Sequence, residues 1–244
     1  MEFTYPQLAA ILAIFVWSGF VRSGIGFGGA ALALPLLLFV KNNPLFWLPI
    51  IATHLLFFTT ITSGGRLKRI DWVFVKYSMS WLFIPKLLGV IGLLSLPNSW
   101  MVIFVFCISA FYAMTWLLQR EIRSQSPWVD RLLLIVGGYV SGASLVGAPL
   151  IAAVAIRHIE LKQYRDTLFV LWFLLVMIKM TAFIVVGVDL HWQWSIMLLL
   201  PAGLGHVIGL RVHDYMLQGD PVLVKRVLGA GLLSVSLVGL WQFL

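Results

Sequence analysis

Polar and charged residues fall in short runs that separate eight apolar stretches, at 8–40, 45–62, 72–96, 100–118, 131–156, 167–188, 192–210 and 222–243. Six of these have the length of one helix crossing about 30 Å of hydrocarbon. The stretches 8–40 and 131–156 do not: at 33 and 26 residues they are long for a single crossing. Folded in two, they give limbs of roughly 16 and 13 residues, or about 24 and 20 Å of helix, past the midplane but short of the far side. Each centre is rich in helix breakers, Ser23-Gly24-Ile25-Gly26-Phe27-Gly28-Gly29 in one and Ser141-Gly142-Ala143-Ser144-Leu145-Val146-Gly147-Ala148-Pro149 in the other. Broken backbone at membrane depth survives only against protein or a wet cavity. The pattern predicts two re-entrant helical hairpins and six transmembrane helices.

Loop charge gives an independent test. Loops 63–71, 119–131, 157–166 and 211–226 carry twelve Lys and Arg residues, whereas the N-terminus, 41–44, 96–99 and 187–191 carry only Lys41. This positive-inside bias is consistent only if both long stretches return to the side they entered, which places both termini outside. Composition agrees with the membrane reading: 61% of the 244 residues are hydrophobic and 11% charged, against roughly 25% charged in a soluble domain. That excludes a soluble enzyme and a nucleic-acid binder despite the net charge of +8. No basic region precedes the first apolar stretch, so no cleaved signal is expected. A lone cysteine, Cys107, cannot form an intrachain disulfide.

The two halves overlay. At an offset of 119, Gly19-Phe20 meets Gly138-Tyr139 and Gly28 meets Gly147; at 120, Trp72 meets Trp192 and Lys86-Leu87-Leu88-Gly89 meets His206-Val207-Ile208-Gly209. A hairpin plus three crossings per half makes the second copy inverted, the architecture of secondary transporters. The first repeat is 1–119, with hairpin 8–40 and spans 45–62, 72–96 and 100–118. The second is 120–244, with hairpin 131–156 and spans 167–188, 192–210 and 222–243.

All nine acids are read in loops or at termini, but the bases are not. Lys86 and Lys179 sit near the middle of spans, Arg22 adjoins the first hairpin tip, and His54 and His206 lie within spans. A buried charge without a partner costs several kcal/mol, so these five residues point to an aqueous path occupied by an anion. The hairpin tips fit, because a helix N-terminus offers free N–H groups and partial positive charge. The expected site is a small oxyanion between the two tips. Arg22 serves as bidentate partner; Ser23, Gly24, Gly26 and Gly28 line the first tip; Ser141, Gly142, Ser144 and Gly147 line the second; Lys86, Lys179, His54 and His206 set the field. Each has a structural alternative: close packing for the glycines, snorkelling for Arg22, carbonyl capping for Lys86 and Lys179, neutral packing for the histidines. Lys76 is read as a snorkelling anchor, and His158, His191 and His213 as solvated loop residues. Trp47, Trp72, Trp100, Trp128, Trp192, Trp194 and Trp241 are read as an interfacial belt. Asp71-Trp72 and Asp189-Leu190-His191-Trp192 are read as entry caps.

Gly24-x-Gly26-x-Gly28-Gly29 followed by Pro35, with its weaker echo from Gly142 to Pro149, resembles the sulfite exporter TauE/SafE family. So does Arg69-Ile70-Asp71-Trp72, echoed by Val188-Asp189-Leu190. The resemblance spans both halves and implies an exporter or permease of sulfite or small organosulfur anions. Ala143 and Ser144 stand where that family often has glycine.

The sequence therefore predicts an all-α polytopic membrane protein of two inverted repeats, in the bilayer of a bacterial inner (plasma) membrane. It acts as a secondary transporter, by default an exporter, of a small anion, with no catalytic residues, cofactor or metal. A homodimer is compatible with this reading. The competing readings are an anion channel with the same cationic lining and a non-transport membrane enzyme or assembly factor.

Overall fold

The computed structural model describes residues 3–25, 29–120, 122–218 and 221–243, and these are helical with no strand among them. The helices are α1 (Tyr5–Ile25), α2 (Gly29–Val40), α3 (Pro44–Ser63), α4 (Trp72–Ser95), α5 (Asn98–Leu117) and α6 (Pro127–Ser144). They continue with α7 (Ala148–His158), α8 (Leu161–Val186), α9 (Trp192–Met197), α10 (Leu199–Gln218) and α11 (Pro221–Phe243). Seven are long and apolar enough to cross a membrane: α1, α3, α4, α5, α8, α11 and the run Trp192–Val212 across α9 and α10. The protein is a polytopic α-helical membrane protein.

Helix ends follow local chemistry. Asp71 caps α4, its Oδ1 accepting from the Phe74 amide at 2.9 Å. Ser126 caps α6 through the Val129 amide, with Pro127 in the first turn, where its missing N–H costs nothing. The expected cap at Asp189–Trp192 differs: His191 is the N-cap of α9, in a left-handed conformation and without a side-chain cap bond. Helix α8 starts at Leu161, earlier than the hydropathy places it, so Lys162 and Arg165 ride its first turns. Likewise α10 runs to Gln218 and carries Arg211 and His213 on helix.

Each long apolar stretch is two helices, but the limbs are unequal. In the first they have 21 and 12 residues, and in the second 18 and 11. At 1.5 Å per residue α1 is about 31 Å long, enough for a full crossing, so only α2 and α7 match the short limbs expected. The limbs are unequal because α1 and α6 begin ahead of the apolar stretches, at Tyr5 and Pro127, while the second limbs begin only at Gly29 and Ala148. In the second stretch Leu145 (φ 64) takes the left-handed conformation that ends α6, its amide bonded to Ser141 O at 3.1 Å. Both stretches fold back on themselves. Gln7 Nε2 donates to Val40 O at 3.4 Å across the first, and Arg157 Nη1 donates to Asp130 Oδ2 at 2.9 Å across the second.

The chain forms two compact units, Met1–Leu48 with Pro97–Glu121 and His191–Leu244, and Pro49–Leu96 with Ile122–Leu190. Each takes one folded-back stretch and helices from both halves of the sequence. In the first unit α1 crosses α10, and α2 packs with α5 and α11 around Val21, Leu32, Ala113 and Leu232. In the second α6 crosses α4, and α7 and α8 close a core that includes Leu82, Leu134, Ile151, Val154, Leu171 and Leu175. The polarity of α4 is the reverse of a water-soluble helix: Val73, Phe83, Ile84, Leu88 and Ile91 face out, while Ser78 and Lys86 are buried. A lipid surround permits that arrangement, since hydrocarbon solvates the outer face.

Candidate functional site

The α4–α6 crossing is made by glycine. A methyl group at Gly89 would overlap the Tyr139 carbonyl, one at Gly138 would lie 2.9 Å from Leu82 O, and one at Gly142 would overlap Lys86 O. Backbones this close carry a side chain from one helix directly onto the other. Lys86, fully buried, donates from Nζ to both the carbonyl oxygen and Oγ of Ser141, each at 2.9 Å. Gly147, the N-cap of α7, packs on the same turn, since a methyl there would lie 2.7 Å from Ser141 Cβ. The crossing therefore gathers Lys86, Ser141, Gly142 and Gly147.

Lys179 belongs to the same unit, on α8, and is also fully buried. Its Nζ has no hydrogen-bond partner among the described residues and lies 5.9 Å from the Phe183 ring centroid. Its charge and that of Lys86 repel one another. The nearest acid along α8 is Asp166, more than three turns away toward Leu161. Lys86 and Lys179 are thus two buried lysines of one unit with no carboxylate beside them in sequence.

The α1–α10 crossing of the first unit repeats this construction. A methyl at Gly19 would overlap Ala202 O, and one at Gly209 would meet Gly24 N at 2.9 Å and Ser23 Cβ at 3.0 Å. The contacts correspond at the sequence offsets: Gly19 on Ala202 with Gly138 on Leu82, and Gly209 on Phe20 with Gly89 on Tyr139. The polar pair also recurs. Where the second unit joins Lys86 to Ser141, the first joins His206 Nδ1 to Ser23 Oγ in a short hydrogen bond. The serine partner is displaced by one residue from the glycine register. Ser23 is buried and His206 half-buried.

The remaining expected residues are placed as follows. Arg22 is half-buried in the last turn of α1, its Cβ 3.0 Å from where a methyl on Gly29 would stand. Gly26 and Gly28 lie outside the described residues. His54 is buried on α3, 6.5 Å from the Phe58 ring. Ser144, expected to offer a free hydroxyl, instead serves the turn: its Oγ donates to Val140 O at 2.9 Å and accepts from the Val146 amide at 3.3 Å. Trp47 is fully buried in the first turn of α3, with Nε1 donating to Lys41 O at 2.9 Å. Among the described residues no group of His, Cys, Asp and Glu could hold a metal.

One polar centre escapes the sequence reading. Asp130, read as a loop acid, is buried in the first turn of α6 and accepts from Arg157 Nη1 at 2.9 Å and from Ser124 Oγ. His158 Nε2 lies 2.8 Å from Asp130 Oδ2, and its ring packs near Phe74 and Tyr77. Burial works to raise the Asp130 carboxyl, but hydrogen bonds from Ser124 and His158 and the charges of His158 and Arg157 outweigh it and hold it below its ordinary value. Asp166 is likewise buried on α8, 3.8 Å from Arg66. His191, read as solvated, packs 4.3 Å from the Phe46 ring. Sequence spacing hides these contacts because Asp130 and Arg157 meet only once the stretch between them folds back.

No curated protein and no solved structure matches the chain. The helical membrane fold, with its two glycine-built crossings and buried cations, is accompanied by a match at the level of sequence profile. The profile of the sulfite exporter TauE/SafE family covers residues 11–239, and the chain belongs to that family.

Proposed function

We propose that the protein is a secondary transporter that exports sulfite or a related small organosulfur oxyanion by alternating access. The observation that carries this is Lys179: a fully buried ammonium without a hydrogen-bond partner among the described residues, in the same unit as the buried Lys86. A group so costly to bury is retained where a mobile counter-charge visits it. Lys179 and Lys86 supply the attraction, and Ser141 positions Lys86. His54 adds a further buried polar group of the same unit, with Gly142, Ser144 and Gly147 shaping the break between α6 and α7. The corresponding contacts of the α1–α10 and α4–α6 crossings support two inverted repeats meeting near residue 120, with the folded-back stretches as re-entrant hairpins and both termini outside. An inside-negative potential favours outward movement of an anion by about 2.3 kcal/mol per charge at 100 mV, which sets export as the direction.

The test is flux in proteoliposomes. Saturable efflux of sulfite, accelerated by the same anion on the opposite side, is expected. Efflux that does not saturate and carries a steady current identifies a channel instead. Failure of sulfite, sulfate, thiosulfate and small sulfonates to move at all, or to raise the unfolding temperature, removes the anion reading.

A further inference from the structure

We propose that the outer face shared by α4 and α6 is a binding site for a phospholipid with an anionic headgroup, whose phosphate is held by Arg131 beside Trp81. The two helices run in the same direction, since Leu82 meets Gly138 and Lys86 meets Gly142. Arg131 lies in the second turn of α6 and is exposed, with Cζ 5.1 Å from the centroid of the Trp81 ring on α4. Its guanidinium therefore joins the two helices on their outer side. Steps of three and four residues keep to one face of a helix. On α6 such steps lead from Arg131 to Ile135 and Tyr139, and on α4 from Trp81 to Ile84 and Leu88, all four exposed. The shared face is thus cationic and aromatic at its head and mainly apolar along its length. A phospholipid has the matching pattern, with phosphate at the head and acyl chains to lie along Ile84, Leu88 and Ile135. Tryptophan favours the headgroup level of a bilayer, which places the Trp81 and Arg131 pair at the depth of the phosphates.

Charge selects the headgroup. Asp130, next to Arg131 in sequence, is buried and taken up by Arg157, His158 and Ser124. Among the described residues Arg131 has no carboxylate in an ion pair, and its charge is left to an anion from outside the fold. A guanidinium offers a phosphate two parallel N–H donors, which a lysine at the same place would not. With Asp130 turned inward, the ammonium of a zwitterionic headgroup gains no partner here and is repelled by Arg131. A headgroup that is anionic as a whole meets no such opposition, and basic pockets between membrane helices bind headgroups of that kind. An arginine that merely snorkels to the interface would meet the phosphate of any phospholipid, so discrimination between headgroups separates the two cases.

The test uses the full-length protein, stripped of lipid in detergent and titrated with phosphatidylglycerol or with phosphatidylcholine of the same acyl chains. Native mass spectrometry reads the bound lipid, and the unfolding temperature reads its effect on stability. Wild type is expected to bind phosphatidylglycerol saturably and to unfold at a higher temperature with it, and to respond far less to phosphatidylcholine. Arg131→Gln should weaken phosphatidylglycerol binding about tenfold, through loss of the charge and its fork of donors. Trp81→Leu leaves every charge in place and should weaken it by a smaller factor. Lys68→Gln, at an exposed position of the turn Leu67–Arg69 that packs against α8, should bind as wild type does. Equal binding of the two lipids by wild type overturns the site, as does wild-type affinity in both Arg131→Gln and Trp81→Leu. Equal weakening by Arg131→Gln and Lys68→Gln also overturns it, since diffuse attraction would then suffice. Inorganic phosphate should not raise the unfolding temperature; if it protects wild type as well as phosphatidylglycerol does and fails on Arg131→Gln, the occupant is a soluble anion and not a lipid.

Discussion

Lys86 completes the end of α6. Its Nζ donates to the Ser141 carbonyl at 2.9 Å, the same oxygen that accepts from the Leu145 amide at 3.1 Å, and to Ser141 Oγ at 2.9 Å. The last carbonyls of a helix carry partial negative charge and lack intrahelical donors. A buried ammonium from α4 meets both needs, and the glycine contact beside it brings it within reach. Structure and field are thus combined in one side chain.

Replacing the two partners separately should divide those roles. Ser141→Ala removes one acceptor and leaves the carbonyl, so a loss of about 1–2 kcal/mol is expected, typical of a bond to a charged group, with anion flux reduced but measurable. Lys86→Met removes the positive charge as well and should abolish saturable flux. Thermal unfolding in detergent and flux in vesicles give the two readouts.

The crossings predict where methyl groups are tolerated. Gly89→Ala sets a methyl against the Tyr139 carbonyl, and Gly209→Ala sets one against the Phe20 carbonyl and Gly24 N. Neither neighbour is a flexible side chain, so each should cost about 1–3 kcal/mol through helix displacement and reduce transport. Gly231 is also helical but has open space around it. Gly231→Ala should be neutral or up to about 1 kcal/mol stabilising, since alanine is the better helix former. Equal destabilisation by all three would show that the crossings are not the cause.

Hydropathy and loop charge were enough to read the helical membrane fold, because chain length against hydrocarbon thickness is a local property. The repeat offsets also marked Gly19, Gly89, Gly138 and Gly209, which the structure places in corresponding contacts. What could not be read was which partner each polar residue finds. Ser23 and His206 are 183 positions apart, and Lys86 and Ser141 are 55 apart. Asp130 looked like a loop acid because the sequence around Trp128 is polar, yet its side chain is buried under Arg157 and His158. Ser144 looked like a donor at a helix break, but a serine at a helix end commonly bonds its own backbone, as it does here.

Asp130 should make stability fall in acid. It lies at the entry to α6, ahead of the apolar segment, and its carboxyl is held below the ordinary 3.8 in the folded protein. A carboxyl lowered on folding contributes fully at pH above its unfolded value and loses that contribution as the pH drops through the folded one. Wild type should therefore lose stability below about pH 4 relative to Asp130→Asn. Near pH 7 Asp130→Asn should be the less stable of the two by about 1–2 kcal/mol, through weakened bonds to Arg157 and His158. Unfolding temperatures of both proteins from pH 3 to 7 provide the measurement; parallel curves would show that the cluster contributes nothing.

Lys179 gives the strongest separation of function from stability. Its ammonium is buried, repelled by Lys86 and without a hydrogen bond among the described residues. Packing alone would favour an apolar side chain of the same length, since replacing a poorly paired buried charge by a hydrophobic group is often stabilising by about 1–4 kcal/mol. Lys179→Met should therefore unfold at a higher temperature than wild type and still fail to transport. Anions should no longer raise its unfolding temperature. Lys179→Arg keeps the charge but delivers a planar fork instead of a compact point, so binding should be weakened and not lost. A Lys179→Met protein that remains stable and moves anions at the wild-type rate would leave the lysine without a part in transport. A destabilised Lys179→Met would instead show that the ammonium has a structural partner within the fold.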